Sequence, residues 1–121
     1  MNKQTYSTQG KTTVSADVLL TIARLTTLNV PGVSRLGIAP GIAGRRLKGG
    51  HVDDGIVIEI QDDIVLTEIF VVLNSNLNVQ NIARKIQIEV ARSISEMVGM
   101  RVGSVNIHVV DIDYPLEAEA K

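Results

Sequence analysis

The apolar positions of this chain fall into two helical stripes and several alternating runs. From Val79 they recur at Val79, Ile82, Ala83, Ile86, Val90, Ile94 and Met97. Those steps of three and four place them on one face of a helix. Asn78 stands where a cap is expected, and Gly99 where a left-handed residue ends many helices. Residues 102–112 then read as a strand, with Val105, Ile107 and Val109 on one face. A first helix opens at Ser15, carries Asp17 in its first turn, and is expected to bury Val18, Leu19, Ile22, Ala23, Leu25 and Leu28. Asn29 and Pro31 end it.

Three further runs read as strands: residues 32–38, residues 55–61 with Ile56, Ile58 and Ile60 alternating, and residues 64–73. The last of these is apolar on nearly both faces, which suits a central strand. Asp62 and Asp63 make the tight turn between the second and third. Residues 11–14 could add a short edge strand. The fold expected is α+β: a small mixed β-sheet with two amphipathic helices packed on one face, in the order β-α-β-β-β-α-β with the first strand weak. Residues 1–10 read as a flexible N-terminal arm, residues 11–114 as a single domain, and residues 115–121 as a flexible tail.

The last third of the chain carries a recognisable signature. Ile86-Gln87, Glu96-Met97, Gly99, Val102 and Val105-Asn106-Ile107-His108-Val109 together resemble the closing pattern of the alkaline-shock-protein family. There, a helix with an IQ pair leads into M-x-G-x-x-V and then V-N-(V/I)-x-V. Val30-Pro31-Gly32-Val33 is similar to the V-x-G-V that follows the family's first helix. Asn29 and Thr26, however, stand where an acidic residue and an alanine are usual. The family comprises small bacterial proteins linked to cell-envelope stress. The resemblance implies a non-enzymatic scaffolding or regulatory protein, cytoplasmic, that self-associates as a homo-oligomer and in some members is held at the membrane by a separate anchor protein.

Composition narrows the chemistry. A single domain of 121 residues should bury roughly 65% of its unfolded surface. With only Phe70, Tyr6 and Tyr114 as aromatics, its core must be aliphatic. No cysteine is present, so there is neither a disulfide framework nor a thiolate metal site. A net charge of −1 favours neither nucleic acid nor an acidic membrane as a general partner. Residues 1–10 are polar rather than signal-like, and no apolar run reaches the ~20 residues needed to span a bilayer. A cytoplasmic protein without direct membrane insertion is expected, associated with the membrane only through a partner.

Candidate catalytic chemistry is sparse, and no catalytic, cofactor-binding or metal-binding residues are assigned. His51 with Asp53 and Asp54 lies in a glycine-flanked turn. His108 and Asp111 should point to opposite faces of a strand. No serine lies in a nucleophile-elbow pattern. Gly41, Gly44, Arg45, Arg46 and Lys48 form a loop similar to the GxxG element with which some domains grip a nucleic-acid backbone. It leaves one strand and precedes another instead of joining two helices, and reads as a solvated loop.

Two surfaces remain as candidate contact sites. One is the polar side of the second helix, with Arg84, Lys85, Glu89, Arg92 and Glu96. The other is the sheet face turned away from the helices, where Phe70 and Val72 should leave an exposed apolar strip. Alternatives to the scaffold reading are a nucleic-acid-binding module using the loop at residues 41–48, and a small regulatory subunit of a metabolic, lipid-synthesis enzyme.

Overall fold

A computed structural model describes residues 13–38, 50–53, 55–74 and 78–114, with the backbone alone at 50–53. Its elements are α1 (Ala16–Asn29), β1 (Val33–Leu36), β2 (Gly50–Asp53), β3 (Ile56–Gln61), β4 (Ile64–Leu73), α2 (Val79–Val98) and β5 (Arg101–Ile112). The fold is α+β as expected, with both helices against one face of a mixed sheet. Of the expected first strand, Thr13 and Val14 are described and are not in a strand. Strand β2 was not expected, and it puts the His51 backbone in a strand, in register with Ile58, rather than in a turn.

β4 is the centre of the sheet, which explains why it is apolar on both faces. β5 runs parallel along one edge of it. The other edge is shared end to end by two antiparallel strands, β3 along Ile64–Ile69 and β1 along Val71–Leu73. The join falls at Phe70, whose N–H donates to the Gly55 carbonyl (2.7 Å) and whose carbonyl accepts from the Gly37 N–H (2.7 Å). Gly55 has φ +80°, and a Cβ there would lie 2.4 Å from the Gly37 carbonyl oxygen. Only glycine fits this junction. Asp62 and Asp63, with φ of 52° and 67°, close the β3–β4 hairpin as a two-residue turn with both residues left-handed.

The core lies between this sheet and the helices. Leu19, Leu20 and Ala23 of α1 and Ile86, Val90 and Ile94 of α2 pack on Ile56, Ile58, Val65, Ile69, Val71 and Leu73. Full burial of each large aliphatic side chain is worth about 1.5–3 kcal/mol. Thr27 and Thr67 are buried among them, and neither hydroxyl has a hydrogen-bond partner among the described residues.

α2 follows its expected stripe except at Met97, which is exposed at the helix end. Gly99 takes the left-handed conformation and donates its N–H to Ser95 (3.0 Å). α1 is rotated from its expected phase. Leu19, Leu20, Ala23 and Thr27 face the core, whereas Val18, Leu25 and Leu28 are exposed. The reason is that α1 carries apolar residues on both its core-facing and its outer side, so periodicity alone does not select one face. Neither Ser15 nor Asn78 caps through its side chain. The Ser15 carbonyl accepts from the Val18 and Leu19 N–H groups instead (3.1 and 3.4 Å).

Candidate interaction surfaces

The outer side of α2 is built by the same periodicity that buries Ile86, Val90 and Ile94. Arg84, Lys85, Arg92 and Glu96 are exposed and Glu89 is half-buried. Arg92 Nη1 lies 3.7 Å from Glu89 Oε1, one turn away. The five residues do not form one uniform patch. Lys85 and Glu89 line a shallow groove between the helices with Thr26, Asn29 and Pro31. Above that groove the Thr26 hydroxyl donates to Ser93 Oγ (3.2 Å). Arg84 and Arg92 flank Ile88, at helical spacings of four residues on either side. Ile88 keeps 49% of its surface exposed. Its exposure could not be inferred from a stripe that ends on buried neighbours, and it puts an apolar residue at the middle of a basic ridge.

The opposite flank of α2 reaches the sheet edge. The Leu73 carbonyl accepts from the Asp113 N–H (2.7 Å), so the odd-numbered residues of β4 bond towards β5 and its even-numbered residues towards β3 and β1. With Thr67 opposite Val105 in the parallel register, the polar groups of Val105 point to the open edge. Gln87 Nε2 donates to that carbonyl (2.9 Å). An otherwise unpaired edge group is thereby satisfied.

The sheet's other face corrects one expectation. Phe70 and Val72 are not an exposed strip, since they retain 3% and 2% of their surface. The cover at Phe70 comes from within the sheet. The His108 imidazole stacks on its ring with centroids 4.5 Å apart and planes 16° from parallel, and Val57 packs beside it. His108 Nε2 lies 3.2 Å from Glu68 Oε1. Strand alternation also fails for His108 and Asp111. An extra residue at Val110 shifts the register, so they stand opposite Phe70 and Val72, two positions apart on β4. Gly41, Gly44, Arg45, Arg46 and Lys48 lie outside the described residues. Among the described residues, no group of three or more His, Asp or Glu side chains is placed to hold a metal ion.

At the far end, β1 and the residue after β5 are tied together. Ser34 Oγ donates to Asp113 Oδ2 (2.7 Å), and Arg35 grips both carboxylate oxygens through Nε and Nη2 (3.2 and 3.3 Å). The Ser34 hydroxyl and the Arg35 guanidinium hold the Asp113 carboxyl below the usual carboxylate range.

The model of a family with a cell envelope-related function matches residues 4–114. The chain belongs to the alkaline shock protein 23 family. The chain is similar to the uncharacterised protein YqhY of Bacillus subtilis (strain 168). The two are 23% identical over 112 residues, covering 91% of this chain and 82% of the relative. Its fold is similar to that of a solved form of MamM-CTD, with a TM-score of 0.50 and 10% identity over 80% of this chain and 98% of that one. In this chain Gln87 caps the sheet edge at Val105, and Gly99 turns α2 into β5. No helix among the described residues is long and apolar enough to cross a membrane.

Proposed function

We propose that this chain is a non-catalytic scaffolding or regulatory component of the bacterial cell-envelope stress response, working through self-association and contact with a membrane-anchored protein. The observation that carries this reading is the outer ridge of α2. Arg84 and Arg92 bracket an exposed Ile88. An apolar centre with a charged rim is the pattern of a protein-docking surface, in which the centre supplies affinity and the rim supplies register. Membership of a family with a cell envelope-related function supports placing the partner at the envelope.

A tagged chain recovered from gently lysed native cells, with membrane and soluble fractions separated, tests the reading. Recovery of an integral membrane protein by the wild type, lost in Arg84→Glu/Arg92→Glu, is the expected result. Recovery only of a soluble enzyme, or of RNA that salt strips away, would contradict it.

A further inference from the structure

β5 spans 12 residues and pairs with β4 along one side, and no described strand lies on its other side. Val105, Ile107 and Val109 stand opposite Thr67, Ile69 and Val71, the β4 residues that bond towards β5. Their own N–H and C=O groups therefore point to the open side. Among the described residues only the Val105 carbonyl is met there, by Gln87 Nε2 (2.9 Å). Edges of this kind are commonly guarded by charges, prolines or bulges. Here the bulges at Gly103 and Val110 sit at either end, and residues 104–109 between them include no Asp, Glu, Lys, Arg or Pro. Such a row is a template for another strand.

The strand is complementary to itself. A second β5 laid antiparallel across a two-fold axis at Asn106 sets Val105 opposite the mate's Ile107. Both residues then aim their main-chain groups at each other, as a hydrogen-bonded antiparallel pair requires. A carbonyl oxygen accepts two hydrogen bonds, so Val105 keeps Gln87 and takes the mate's Ile107 N–H as well. On the helix side of the sheet this register sets apolar against apolar. On the other side it sets Ser104 opposite the mate's His108, and Arg101 opposite the mate's Asp111. One bulge lies between Asn106 and each of those charges, Gly103 towards Arg101 and Val110 towards Asp111, so the opposite charges stay level.

Both charges are open to this pairing. Arg101 is exposed and forms no ion pair among the described residues. Asp111 is exposed, and its carboxylate accepts only from the Ile112 N–H (2.8 Å). An axis one residue further on, at Ile107, would instead need Asp113, which Ser34 and Arg35 already hold. We propose that β5 joins two copies of this chain edge to edge into one continuous sheet. This rests on the self-association in the function proposed above. It assigns that association to a surface separate from the α2 ridge, where Ile88 points away from the sheet and stays free for the other partner.

The absence of cysteine from the chain makes a direct test possible. Sedimentation equilibrium on the full chain gives the association state of the wild type, Arg101→Glu, Asp111→Arg and the double variant, and circular dichroism checks that each is folded. Single-cysteine variants Asn106→Cys, on the axis, and Thr21→Cys, on α1, are mildly oxidised. The expected result is a wild-type dimer that weakens about tenfold in either single variant, as repulsion replaces attraction in both symmetric pairs. The double variant should regain the wild-type affinity. Asn106→Cys should form a disulfide-linked dimer and Thr21→Cys should not.

A dimer indifferent to both single variants, with no Asn106→Cys crosslink, would overturn this assignment and leave self-association standing. Weakening in the single variants that the double variant fails to restore would overturn the register at Asn106. A wild type that stays monomeric at high concentration would overturn both the edge pairing and the self-association.

Discussion

His108 lies flat on Phe70, ring on ring at 4.5 Å, and shields from the sheet's outer side the one phenylalanine in the chain. The contact joins neighbouring parallel strands, β4 and β5, at registered positions. It makes an exposed polar residue part of the hydrophobic packing. Stacked aromatic pairs contribute about 0.5–1.5 kcal/mol beyond the area they bury. His108→Ala should therefore lower unfolding stability by about 1–2 kcal/mol in urea titration, and Phe70→Ala by about 3–5 kcal/mol. The double variant should lose less than the sum, since the two residues share one contact. Strict additivity would show that the stacking contributes nothing.

The shared edge of β4 depends on Gly55. A Cβ there would press on the Gly37 carbonyl at 2.4 Å, and φ +80° is a left-handed conformation that side chains strain to adopt. Gly55→Ala should cost about 1–3 kcal/mol by chemical denaturation, with faster amide exchange at Gly37 and Phe70. An unchanged midpoint would mean that β1 and β3 do not meet end to end at Phe70.

Two hydroxyls are buried without a partner among the described residues, at Thr27 and Thr67. An unsatisfied buried hydroxyl costs about 1–3 kcal/mol of desolvation. Replacing it with a methyl group removes that cost with little change of shape. Thr67→Val and Thr27→Val should each raise thermal stability, by about 1 kcal/mol. Loss of stability in either would show that its hydroxyl has a partner after all.

Asp113 gives the fold an acid-sensitive tie. Its carboxyl is held below the ordinary value of 3.8 by the Ser34 hydroxyl and then by Arg35. A folded value below the unfolded one means that the stabilisation is complete above about 3.8 and disappears as pH falls through the lower folded value. The stability gap between wild type and Asp113→Asn should thus be constant near neutrality and close in the acid range below that value. Stability measured from pH 2 to 6 checks this. A gap that persists unchanged at pH 2 would rule the tie out.

Much of this architecture is legible in the sequence because its elements are periodic. The stripe through Ile86, Val90 and Ile94, the Gly99 stop and the Asp62-Asp63 turn each have a local cause, and each forms where it is expected. α1 was not legible in phase. Its apolar residues lie on two opposite sides of the helix, and only the neighbouring sheet decides that Ala23 turns inward and Leu25 outward.

The non-local pairings were hidden for a different reason. His108 meets Glu68 across 40 residues, and Gln87 reaches Val105 around a helix end. Neither spacing follows from a period. The apolar strip inferred at Phe70 and Val72 failed because the inference counted the helices as the only cover. The α2 ridge was legible in its charges, but Ile88 at its centre was not, since a single apolar residue among polar neighbours leaves no periodic trace.

Photo-crosslinking in living cells from a probe installed at Ile88 tests the proposed docking of an envelope protein on the α2 ridge. The expected result is a discrete adduct containing a membrane-anchored protein, lost when Arg84 and Arg92 are both changed to Glu. A probe at Ile88 that captures no envelope protein, while the tagged chain still sediments with membranes, would contradict it.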